Sequence, residues 1–133
     1  MGLDMYLKGS SFNWTNWKKP EGKRRPMSEG FEIEEEVLLL GYWRKHPNLH
    51  GYIVNTFAKG MDDCQQIDLT EEDIENIIEA IKNNKLPTTL GFFFGKSDGS
   101  EDTESIRILQ DALKWLKSDK RNKSKSVYYK ASW

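Results

Sequence analysis

Two stretches, one near each end of the sequence, repeat with a period of two. Residues 2–8, GLDMYLK, set Leu3, Met5 and Leu7 against Asp4, Tyr6 and Lys8, and the stretch SVYYKASW sets Val127, Tyr129, Ala131 and Trp133 against Tyr128, Lys130 and Ser132. Successive side chains of an extended chain point to opposite faces, so this alternation predicts half-buried strands. A lone strand leaves its backbone donors and acceptors unmatched, so both stretches must be tied into a sheet.

The segments between them carry a helical period. Ile74, Ile77, Ile78 and Ile81 share one face behind Thr70, and Asp73 three positions after Thr70 resembles a capping box with Asp in place of the usual Glu or Gln. Residues 101–117 bring Ile108, Leu109, Ala112, Leu113 and Leu116 to one side and predict a second helix. A third is expected after Pro47, which breaks the backbone, with Asn48 as its cap, Leu49, Tyr52, Ile53 and Phe57 as its apolar face and Gly60 as its end. Further strands are expected over residues 37–43, preceded by an irregular or helical acidic piece, in CQQIDLT, and in TTLGFFFG. Residues 9–30 hold three Gly, two Pro and a cationic run, with no sustained period, and predict a long surface loop. Short, amphipathic strands favour a mixed or antiparallel sheet over a wholly parallel one. The expected architecture is α+β: one domain over residues 1–133, with three helices packed on the sheet.

Composition narrows the function. Lys and Arg number 20 against 21 Asp and Glu, which lacks the positive excess of a protein that coats nucleic acid, so nucleic acid is not expected as the main partner. The single Cys, Cys64, excludes an internal disulfide and any multi-cysteine metal site, and fits a reducing compartment. No apolar run has the length of a membrane span, and the start has no signal-peptide pattern. A cytoplasmic protein with no membrane partner is the expectation.

The stretch LGYWRKHPNLHGYIV, residues 40–54, concentrates Tyr42, Trp43, Arg44, Lys45 and both histidines, His46 and His50. Pro47 separates the two histidines and argues against a paired metal site, so no metal and no cofactor are expected. His50 is a candidate general base, with Asp4 or Asp62 to orient it; Cys64 is a weaker candidate nucleophile. Asp4, inside the first strand, needs water or a donor, and Arg44 is the evident guanidinium partner. GFFFGKSDGS lacks the spacing of a phosphate loop. Trp14 and Trp17, beside a cationic run, could stack on a planar ring or fold back onto the domain.

Four blocks read together, MGLDMYL, LGYWRKHPNLHGYIV, LPTTLGFFFG and VYYKASW, resemble a family of small bacterial, prophage and phage proteins with the same start, Tyr-Trp-Arg-Lys block, Gly-Phe-Phe-Phe-Gly block and Ser-Trp ending. Such proteins often carry the label phosphoglycerate kinase. That enzyme needs two large domains, more than 133 residues supply, so the label is rejected. The resemblance implies an accessory role and carries over no catalytic residue.

The expected activity is therefore non-catalytic binding of a nucleotide-like or other anionic small molecule. Its site would be built from Asp4, Tyr6, Tyr42, Trp43, Arg44, Lys45, His50, Thr88 and Thr89, with Trp14 and Trp17 as a lid. The alternatives are a small hydrolase or transferase with His50 as base, and a module acting on a host protein. A homo-oligomer is compatible with all three.

Overall fold

A computed structural model describes residues 2–14, 25–89, 102–118 and 123–133. Its elements run β1 (Asp4–Asn13), β2 (Met27–Ser28), β3 (Phe31–Glu32), β4 (Glu35–Arg44), α1 (Pro47–Phe57), β5 (Ile67–Leu69), α2 (Glu71–Lys82), α3 (Asp102–Lys117) and β6 (Lys123–Ser132). The main sheet has the order β4-β1-β6-β5, and every neighbouring pair in it is antiparallel. β2 and β3 form a separate two-stranded hairpin leading into β4. The fold is α+β, with the sheet antiparallel throughout.

The period of two sets the layers. Leu3, Met5 and Leu7 are buried, while Asp4, Tyr6 and Lys8 are half-exposed. Opposite residues of an antiparallel pair share a face. The register sets Met5 beside Trp43 and Ala131, and Leu7 beside Gly41 and Tyr129. That face meets the buried sides of α1, α2 and α3, which contribute Leu49, Ile53, Ile74, Ile77, Leu109 and Ala112 among others to a single core. Among the described residues no helix packs on the opposite, open face.

Both amphipathic helices form as their spacing predicts. Thr70 caps α2 by accepting from the Asp73 N–H at 3.1 Å while Asp73 accepts from the Thr70 N–H at 2.9 Å. The shorter Asp carboxylate closes the box as Glu would. α3 lies so close to the sheet that only glycines fit beneath it: a Cβ on Gly41 would sit 2.3 Å from Ile108 Cγ2, and one on Gly9 2.6 Å from the Trp115 ring.

Three expectations are corrected. β1 continues to Asn13, so the long loop does not begin at residue 9; Ser11 and Asn13 are buried in the same alternation that begins at Leu3. The polar lettering of SSFN concealed a strand in which the Asn13 carboxamide donates to the Ile33 carbonyl at 2.9 Å. The acidic piece before residue 37 is not helical: Phe31–Glu32 form β3, and β4 already begins at Glu35, which pairs with Phe12. Pro47 starts α1 rather than breaking ahead of it, and His46 occupies the cap position assigned to Asn48. Proline has no N–H, and the first helical position needs none. Residues 86–89 have no regular structure, and the rest of the TTLGFFFG stretch lies outside the described residues.

β4 carries one irregularity. Gly41 pairs with Leu7 and Leu39 with Lys8, so Leu40 is an extra residue, a β-bulge. The bulge turns Leu40 towards the helices, where its side chain lies by Gly9. Val37, Leu39, Tyr42 and Arg44 thereby share the open face.

Replacing Gly41 by Ala forces the branched Ile108 side chain to move. The expected cost is about 1–3 kcal/mol of unfolding free energy, read from urea unfolding. A variant as stable as the parent would contradict the close seating of α3.

Candidate functional site

The open face gathers residues from three strands. Asp4 lies opposite Arg44 on β4 and Ser132 on β6; Tyr6 lies opposite Tyr42 and Lys130; Lys8 lies opposite Tyr128. The Tyr42 hydroxyl donates to Asp4 Oδ1 at 2.5 Å, and the Tyr6 and Tyr42 rings sit 5.4 Å apart, tilted by 51°. Lys8 Nζ lies 5.5 Å from the Tyr6 ring centroid. The bond to Asp4 raises the Tyr42 phenol above its ordinary value, because ionisation would break it and set two negative charges side by side. Asp4 thus has its donor in Tyr42, where Arg44 was expected.

The sheet divides the constellation expected from the sequence. Asp4, Tyr6, Tyr42 and Arg44 are together on the open face. Trp43, one residue from each of the last two, points the other way, is 5% exposed, and donates from Nε1 to Ser105 Oγ on α3 at 2.7 Å. Lys45 leaves the sheet in a left-handed backbone conformation, φ 57°, with its N–H bonded to the Leu3 carbonyl at 2.8 Å. Thr89 docks on α1: its N–H donates to Asn48 Oδ1 at 3.0 Å, and its side chain occupies the place a Cβ on Gly51 would need. Thr88, beside it, is exposed. Neither threonine is on the open face.

Trp14 does not cover the site as a lid. It follows the far end of β1, with its ring edge-on to Phe12 at 4.7 Å and 55% exposed. Ten residues separate it from Asp4, roughly 30 Å along an extended strand. Trp17 lies outside the described residues.

His50 is held on the helix side of the sheet by a chain of side chains. Its Nδ1 is 2.5 Å from the Tyr129 hydroxyl, and its Nε2 is 2.9 Å from Asp62 Oδ2. Trp133 Nε1 donates to the other Asp62 oxygen at 3.1 Å. A carboxylate only accepts, so the neutral ring donates from Nε2 to Asp62 and accepts the Tyr129 O–H at Nδ1. The chain joins α1, the loop after it and β6. His50 and Tyr129 are each 1% exposed.

Burial, reinforced by the Asp62 charge, raises the Tyr129 phenol far above its ordinary value. A histidine oriented by a carboxylate is half of a hydrolytic triad. Here the second nitrogen is taken by a buried phenol, and the ring is closed to solvent, so the geometry makes His50 a link between elements. His46, also buried, has Nε2 3.7 Å from the Asp102 carboxylate at the start of α3. Cys64 is half-buried with φ 62°. Among the described residues, no group of three or more His, Cys, Asp or Glu side chains is placed to hold a metal ion. No helix among them is long and apolar enough to cross a membrane.

Sequence reasoning missed Lys8, Tyr128 and Lys130 on the open face. Their signal was present in the two alternating ends, where Tyr6, Lys8, Tyr128 and Lys130 are all off-phase from the core residues. It could be used only once β1 and β6 were known to be neighbours. No protein-family model, no curated protein and no solved structure matches this chain.

The Tyr129 phenol has its own signature. In the folded protein it keeps its proton above pH 10, the ordinary value, while the unfolded chain loses it. Stability is therefore lost as pH rises from that value, at up to about 1.4 kcal/mol per pH unit for this one proton. Tyr129→Phe is expected to flatten the decline in urea unfolding free energy above about pH 10. It also costs about 1–3 kcal/mol at neutral pH, where His50 Nδ1 loses its donor. Parallel profiles for parent and variant would contradict the buried phenol.

Proposed function

We propose that this chain is a non-catalytic binding protein and that its open sheet face receives a nucleotide-like ligand. The observation that carries the reading is one of register: Tyr6, Tyr42 and Tyr128 are brought to the same uncovered face as Lys8, Lys130 and Arg44. Aromatic faces stack on a planar base whatever its sequence identity, and cations beside them hold the phosphate. Asp4 supplies the third element of selectivity. As a carboxylate beside Tyr42 it repels phosphate from that end of the face and accepts from a ribose hydroxyl or an exocyclic amine. The phosphate then falls to Lys8 and Lys130, which flank Tyr6 on its two neighbouring positions of β1 and β6.

Near-neutral overall charge favours a small ligand over long nucleic acid, whose affinity rests on many cationic contacts. The reading places the protein in the cytoplasm, where the lone Cys64 stays reduced. It leaves Trp43, His50 and Thr89 as supports of the sheet and of α1. The enclosure of His50 by Tyr129 and Asp62 favours this reading over one with His50 as a general base.

Titration with mono-, di- and cyclic nucleotides, followed by tyrosine fluorescence and melting temperature, tests the proposal. Binding by at least one of them is expected, weakened about tenfold by Tyr6→Ala, in line with the loss of one stacked base. Lys130→Ala is expected to weaken a phosphorylated ligand and leave its unphosphorylated nucleoside unaffected. Absence of binding by every nucleotide, or binding indifferent to both substitutions, would sink the reading.

A further inference from the structure

The two edges of the sheet differ. β5, at one edge, is three residues long. β4, at the other, runs for ten residues, Glu35–Arg44, and its one strand neighbour among the described residues is β1. A long edge strand exposes a row of backbone donors and acceptors, and proteins ordinarily blunt such edges with proline, lysine, bulges or brevity. β4 has no proline or lysine between its ends, and its one bulge, at Leu40, leaves Glu35–Leu39 in regular register.

Its exposed side chains are also apolar where solvent would favour charge. Val37 and Leu39 on the open face are 56% and 61% exposed, and Leu38, pointing the other way, is 39% exposed. Met27 and Phe31 in the hairpin that feeds β4 are 59% and 75% exposed. Scattered apolar residues on a surface need no explanation, but Val37, Leu38 and Leu39 are three consecutive exposed ones on an edge strand.

We infer that β4 is the interface of a homodimer in which the β4 strands of two copies pair antiparallel, edge to edge, into one eight-stranded sheet. Charge selects a second copy as the occupant. The strand is acidic where it begins, at Glu34, Glu35 and Glu36, and cationic where it ends, at Arg44 and Lys45. A strand of that pattern is complementary to itself when reversed. With a twofold axis at Leu39, the two copies of Leu39 meet, and the extra residue at the Leu40 bulge carries Val37 of one copy opposite Tyr42 and Glu35 opposite Arg44 of the other, all on the open face. A parallel arrangement would set the glutamates against each other. Twofold pairing of a single edge also closes, since β5 at the far edge offers only three residues to a further copy.

Sedimentation equilibrium over a range of protein concentrations, on the full chain, tests this. The parent protein is expected at twice the 15.5 kDa chain mass. The double substitution Val37→Lys with Leu39→Lys sets like charges across the paired edge, and the expected mass falls by half with an unchanged far-ultraviolet circular dichroism spectrum. Glu35→Lys leaves the apolar strand intact, opposes a cation to Arg44, and is expected to give the same monomer. A parent protein that stays monomeric at its highest concentration would overturn the inference and leave the edge to a foreign strand. A dimer that either folded variant retains, or an open-ended series of larger species, would overturn it as well.

Discussion

β1 is paired along its whole length on both sides, with β4 from Asp4 to Phe12 and with β6 from Asp4 to Asn13. Each of those neighbours inherits its phase from β1. Because the side-chain period is two, a slip of one residue against either neighbour would send Trp43 or Tyr129 to solvent and Arg44 or Lys130 into the core. The apolar triplet Leu3, Met5 and Leu7 forbids that slip, since each is at most 1% exposed. What lies under the helices and what lies on the open face are therefore one decision, taken at β1.

The side-chain chain from Tyr129 through His50 and Asp62 to Trp133 reinforces the decision from the helix side. Buried polar groups are costly when half-satisfied and specify a unique arrangement when every member has its partner. Tyr129 lies on β6, and Trp133 follows directly after its last residue, Ser132. Only with β6 in its observed phase do they reach the histidine of α1 and the carboxylate of the following loop. The network thereby locks the last strand to the first helix, elements far apart in sequence. The histidine with the most suggestive carboxylate partner is thereby enclosed between Asp62 and Tyr129.

The elements with strong periodicity were legible in the sequence, and the contacts between them were not. The isoleucines of α2, the apolar side of α3 and the alternation at both ends each announce themselves locally. The extension of β1 over Ser10, Ser11, Phe12 and Asn13 did not, because a polar residue is buried only where a neighbour satisfies it, as the Ile33 carbonyl does for Asn13. His46 as the start of α1 was hidden by the better capping chemistry of Asn48, whose carboxamide is instead turned to Thr89. The site was half legible. Period two alone separates Trp43 from Tyr42 and Arg44, so grouping the three in one pocket conflicted with reading the segment as a strand. Tyr128 and Lys130 entered the face only through the β1–β6 register, and the enclosure of His50 depends on residues 12 and 79 positions away in sequence.

Tyr128 and Tyr129 are adjacent in sequence and, by this account, on opposite sides of the sheet. Nitration of the folded protein with tetranitromethane, mapped by peptide mass spectrometry, reads that difference directly. The account predicts modification of Tyr128 together with Tyr6, slower modification of Tyr42, whose phenol the bond to Asp4 keeps protonated, and an unmodified Tyr129 until the protein is unfolded. Modification of Tyr129 at a rate comparable with Tyr128, or protection of Tyr128 alongside Tyr129, would contradict the division of the molecule into an enclosed helical side and an open aromatic face.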